Sequence, residues 1–167
     1  PFVNQAQQFQ WAMDQHLITT AWTMRMDADE YLTDALVEEI HTRLSSLPEP
    51  VSGVVLKRQV HFMGRWIRHG GYYPIHLLRI WRTGHAVIEQ RWMDEHTHLT
   101  QGKAINFKHD FVDDNLNTLT WWIEKHNSYA TREAVDILNR KYQFFDVNQV
   151  IDENGNANQV ITKRWYK

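Results

Sequence analysis

The sequence predicts an α/β domain in which a mixed sheet is flanked by helices, and three observations predict it. Residues 52–63 alternate apolar and polar side chains with the period of two that a half-buried strand requires. Residues 4–17, 33–47 and 115–142 carry apolar side chains at helical spacing between the strand-like runs. The apolar run Ala21-Trp22-Thr23-Met24-Arg25-Met26 ends abruptly in Asp27, Asp29 and Glu30, which places carboxylates at a strand's carboxyl end. Open α/β sheets bind their ligands there.

Composition narrows the function classes. At 167 residues the chain fits one domain and can bury a real core. A net charge of −2 gives no reason to expect nucleic acid as a partner. The absence of cysteine excludes a disulfide framework and a thiolate metal site, and it permits a reducing compartment. No apolar run approaches the roughly 20 residues of a membrane span, and no signal peptide is visible. The expected location is cytoplasmic, with the inner face of a membrane as the alternative. The eight tryptophans suit carbohydrate or partner surfaces, although core packing accounts for most of them.

Taken in order, the first helix, over residues 4–17, has Ala6, Phe9, Met13 and Leu17 on one face. The strand to Met26 and its acidic turn follow. Thr33 or Asp34 can cap the next helix, whose apolar face is Leu36, Val37, Ile40, Leu44 and Leu47, and Pro48-Glu49-Pro50 stops it. In the strand over 52–63, Val54, Leu56, Val60 and Phe62 share one face and Lys57, Gln59 and His61 the other. Arg58 is the one break in the apolar face. Residues 64–73 read as an exposed loop turning at Gly70-Gly71. Residues 75–81 and 86–91 read as a hairpin around Thr83-Gly84, and residues 104–108 as another strand. A long helix over 115–142 precedes a polar tail from 146 that ends in the basic, aromatic KRWYK.

Candidate chemistry concentrates in three places. Asp27 and Asp29 are two apart, so on an extended segment they point the same way and can share one hard cation. Mg²⁺ and Mn²⁺ prefer such oxygen ligands and often bind substrate phosphates as well. The competing reading is a solvated acidic turn that caps the next helix. The loop over 65–73 sets Arg65, Arg68 and His69 among Trp66, Tyr72 and Tyr73, where rings can stack on sugars and cations can meet phosphate. His96 and His98 form an H-x-H that could hold zinc, but no further ligand is evident.

With these residues in place, the chain resembles the family 2 glycosyltransferases of bacterial polysaccharide and lipopolysaccharide-core assembly. The matching pieces run in order over roughly residues 10–138: WTMRMDADEYL, RWIRHGGYYPIHLLRIWRTG, MDEH, the strand ending FKHD, and WWIEKHNSYATREA. The resemblance implies a GT-A-type fold and transfer of a sugar from a UDP- or other nucleotide donor to a glycan or glycolipid acceptor, with inversion. Asp27 and Asp29 stand where such enzymes bind donor ribose, diphosphate and a Mn²⁺ or Mg²⁺ ion. Asp94 or Glu95 stands where a general base is expected. His109 stands where a third metal ligand or diphosphate contact is found. Trp66, Arg68, Tyr72 and Tyr73 become the acceptor-binding candidates, and Glu30 supports the site or charges a helix N-terminus.

One departure shapes the expectation. The N-terminal nucleotide-binding strands of that family have no counterpart here, so residues 1–145 look like the C-terminal part of a catalytic domain, followed by the tail 146–167. Such a piece is expected to show little activity alone and to pair as a homodimer through its exposed sheet edge. The KRWYK segment adds an expected peripheral membrane contact. Two other classes compete: a non-catalytic glycan- or partner-binding module, and a metal-dependent phosphoryl hydrolase built on Asp27 and Asp29.

Overall fold

The long alternating strand lies at the centre of the sheet. The computed structural model describes residues 5–90 and 95–143. Its elements are α1 (Gln5–Asp14), β1 (Trp22–Met24), β2 (Glu30–Leu32), α2 (Asp34–Arg43, extended by a 3₁₀ turn at Leu44–Ser46), β3 (Val51–Phe62), β4 (Arg65–Trp66), β5 (Ile75–Arg82), β6 (Ala86–Ile88), β7 (Thr97–Leu99), β8 (Lys103–Asp114) and α3 (Leu119–Tyr142). The main sheet runs β1-β5-β3-β8-β2, with β4 added to β3, and β6 and β7 form a separate ribbon. β3 and β8 are parallel and the other pairs are antiparallel, so the α/β mixed sheet expected from the sequence is present.

β1 and β2 occupy opposite edges of the sheet although only residues 25–29 join them. Four strand spacings come to about 19 Å, nearly the full reach of so short a connection. The connection also contains a turn, closed by the Glu30 N–H to the Asp27 carbonyl at 3.0 Å. The sheet must therefore curl. The core agrees, because Trp22 and Met24 from one edge and Leu32 from the other pack on the same cluster of Leu36, Val54, Leu56, Ile80, Phe107 and Phe111. Full burial of each such side chain contributes about 2 kcal/mol.

Two bulges set the side chains of the site. Val54 pairs with Ile80 and Val55 with Leu78, which leaves Arg79 as an extra residue of β5. Val55 pairs with Asn106 and Lys57 with Asp110, so residues 107–109 of β8 form a bulge opposite Leu56. Bulges bend a strand and re-aim its side chains. The second is fastened by buried Glu39 of α2, whose carboxylate accepts the N–H groups of Lys108 and His109, both at 3.0 Å. Thr33 caps α2 as expected, accepting from the Leu36 N–H at 3.3 Å while its hydroxyl donates to the Asp110 carbonyl at 2.8 Å.

Several boundaries differ from the sequence reading. Residues 64–73 are not wholly loop: Arg65 and Trp66 return along β3 after a two-residue turn in which Met63 and Gly64 have φ of 50° and 72°. Positive φ at both positions gives the twist a tight hairpin needs. Residues 75–82 and 86–88 do not form a hairpin with each other, because β1 and β3 already occupy both edges of β5. β8 runs on to Asp114, past the expected end at 108, and α3 begins at Leu119 behind its Thr118 cap. The tail from 146 and the KRWYK segment lie outside the described residues. Among the described residues no helix is long and apolar enough to cross a membrane.

Candidate functional site

Asp27 and Asp29 lie in the crossing segment between β1 and β2, not on an extended strand. The same-side argument from their spacing therefore fails, and each carboxylate takes its own partners. Asp27, with a side chain 34% exposed, lies 3.6 Å from both Arg25 and Arg79. Asp29 accepts from Asn115 Nδ2 at 3.2 Å, and its carbonyl accepts the Asp114 N–H at 2.9 Å. Glu30 stands in β2 and not at a helix N-terminus. It pairs with Arg79, the bulge residue, and accepts the Asp27 N–H at 2.9 Å.

Arg25 links this turn to a second predicted element. Its guanidinium donates to Glu95 Oε1 at 2.8 Å, and both side chains are 10% exposed. Asp94 lies outside the described residues. Arg58, the one break in the apolar face of β3, pairs with Asp113 at 3.4 Å on the same side of the sheet. The site thus holds five carboxylates, Asp27, Asp29, Glu30, Glu95 and Asp113, against the guanidiniums of Arg25, Arg58 and Arg79. That leaves an excess of two negative charges.

Burial, more than the charge excess, shows in the protonation equilibria. Burial pushes Glu30 above the ordinary carboxylate range, and Arg79 and the Asp27 N–H only partly offset it. Burial likewise raises Asp113, with Asp29 and Asp27 adding repulsion to what Arg58 relieves. Glu30 and Asp113 also face each other across β2 and β8, where like charges repel. A group of oxygen donors short of positive charge and open at Asp27 suits a hard divalent cation.

His109 is not brought to this turn. It stands on the β8 bulge with its imidazole 3.7 Å from Glu39, and among the described residues no group of three or more His, Asp or Glu is placed to hold a metal ion. Any cation at Asp27 and Asp29 would complete its shell from ligand oxygens and water.

The acceptor candidates do gather, with one exception. Trp66 and Tyr73 meet edge to face with centroids 5.0 Å apart, and the Arg68 guanidinium lies 4.1 Å over the Trp66 ring. Tyr72 is exposed and outside this stack. Tyr73 donates its hydroxyl to Asp110 at 2.8 Å, and Gln59 and Lys57 reach the same carboxylate at 2.9 Å each. Burial would raise Asp110, but these donors outweigh it and hold the carboxyl below its ordinary value.

Sequence reasoning passed over Arg25, Arg79, Asp110, Asp113 and Glu39. Only Arg58 left a signal, as a charge on an apolar face. Comparison with known protein families, with curated proteins and with solved structures yields no match.

Proposed function

We propose that the chain carries the metal–diphosphate and acceptor sides of a GT-A-type site. The reaction is inverting transfer of a sugar from a nucleotide donor to a glycan or glycolipid. The observation that supports it most is the Arg25 bridge, which ties the Asp27 turn to the segment carrying the base candidates, inside a cluster two charges too negative. Asp27 and Asp29 would hold the divalent ion and, through it, the donor diphosphate. When bound, that ion neutralises charge on the departing diphosphate. Glu95 is buried against Arg25 and anchors its loop, which leaves the neighbouring Asp94 to take the proton of the acceptor hydroxyl as the new bond forms. Trp66, Arg68, Tyr72 and Tyr73 face the acceptor.

Calorimetry of UDP in the presence and absence of Mn²⁺ tests this reading. Saturable binding that needs the ion and is lost in Asp27→Ala and in Asp29→Ala is the expected result. No binding of any nucleoside diphosphate by the folded chain, nor by a chain extended at its N-terminus, overturns it.

A further inference from the structure

On the opposite face of β3 from Arg58, three polar groups line up across the sheet. His61 is the register partner of Trp66 on β4 and of Asp114 on β8, so all three side chains leave the sheet on one side. Trp66 Nε1, His61 Nε2 and Asp114 Oδ1 are all buried, and none has a hydrogen-bond partner. Orphaned buried polar atoms are costly and native folds rarely keep them unsatisfied. Three on one cross-strand line call for a polar occupant.

The chemistry of the row selects its class. Indole N–H only donates, an ionised carboxylate only accepts, and neutral imidazole does either. A phosphate would satisfy the indole but meet repulsion at Asp114. An ammonium would satisfy Asp114 and leave the indole unpaired. Hydroxyl groups both donate and accept, so the hydroxyls of a sugar match the hydrogen-bonding needs of all three groups. The surroundings agree, because Tyr73 packs on Trp66 and the exposed Arg68 lies over the Trp66 ring, a setting of aromatic faces and polar groups that suits a sugar. The row also adjoins the acidic turn, since the Asp114 N–H donates to the Asp29 carbonyl at 2.9 Å.

We propose that His61, Trp66 and Asp114 form a carbohydrate subsite that takes hydroxyls of a pyranose ring. Its assignment to the acceptor rests on the glycosyl-transfer reading, whereas carbohydrate binding at the row does not.

The test follows the Trp66 indole N–H peak in ¹H–¹⁵N spectra of the full chain, identified by its loss in Trp66→Phe. Methyl α-glucopyranoside, methyl α-galactopyranoside and methyl α-mannopyranoside are titrated in turn. The expected result is a saturable shift with at least one of them, about tenfold weaker in Asp114→Asn and in His61→Gln. No shift with any of the three sugars means the row holds only ordered water and overturns the proposal. So does a shift that survives both variants in chains whose spectra remain dispersed. A sugar shift, where neither the chain nor a chain extended at its N-terminus binds any nucleoside diphosphate with Mn²⁺, upholds the subsite and removes the transferase reading instead.

Discussion

Glu39 of α2 and Asp110 flank the β8 bulge, and Glu30 of β2 faces Asp113 near the carboxyl end of β8. All four are carboxylates drawn into or against one sheet, yet they are compensated in opposite ways. Asp110 receives donors from Lys57, Gln59 and Tyr73, and Glu39 receives two backbone N–H groups and Arg43. Burial alone would raise both, but the donors prevail and both sit below their ordinary values. Glu30 and Asp113 each have a single guanidinium, face one another and stay above theirs. Carboxylates that hold a fold are saturated with donors. Those left short of positive charge near the end of β8 adjoin the turn proposed above to take a cation, and perturbed groups concentrate at functional sites.

Breaking the saturated side should have the largest effect. Glu39→Ala strands the Lys108 and His109 N–H groups in the bulge and frees Arg43 from its partner, and each stranded group costs about 1–3 kcal/mol. Urea unfolding should record a loss of about 3 kcal/mol. A loss within 0.5 kcal/mol, the ordinary range of a surface substitution, would mean that the bulge does not depend on this carboxylate.

The pH profile sharpens the contrast, because the two pairs carry opposite signs. For Glu30 and Asp113 the folded value lies above the unfolded one, so the folded state takes up protons first. Stability therefore rises as pH falls from neutral through their raised values. For Glu39 and Asp110 the folded value lies below the unfolded one, so their contribution is present above about pH 4 and is lost as pH falls further. The expected profile climbs on mild acidification and then drops. In the Glu30→Gln/Asp113→Asn double variant the climb should vanish and the drop remain. A climb unchanged in that variant would assign it to other groups.

Much of the fold was legible because its long elements carry a clear period. β3, α2 and the Thr33 cap fall where the sequence puts them. β2, β4 and β7 span three residues or fewer, too few positions for alternation to show. The second half of β8 was hidden by Asp110, Asp113 and Asp114, which read as a loop until Lys57, Gln59 and Arg58 are seen across the strand pair. At the site, the spacing of Asp27 and Asp29 pointed to one shared face, but the crossing turn gives each carboxylate its own partners. Arg79 sits in an ordinary strand run, and only the register slip opposite Val54 turns it toward Glu30. Register between distant strands is a tertiary property that a local pattern does not encode.

The smallest expected stability change is the most telling for the undercompensated side. Asp27 is the most exposed carboxylate in its ion-pair group and lies 3.6 Å from each of its two arginines, so each pair contributes little. Asp27→Asn also removes one charge from an over-negative cluster. In the absence of divalent ions its unfolding free energy should stay within about 1 kcal/mol of the parent. Adding Mg²⁺ should raise the melting temperature of the parent and leave Asp27→Asn unmoved, because only a cation bound to the folded state stabilises it. Equal stabilisation of both proteins by Mg²⁺ would place the ion elsewhere. A destabilisation as large as that of Glu39→Ala would make Asp27 another carboxylate that serves the fold, and the contrast between the two ends of β8 would disappear.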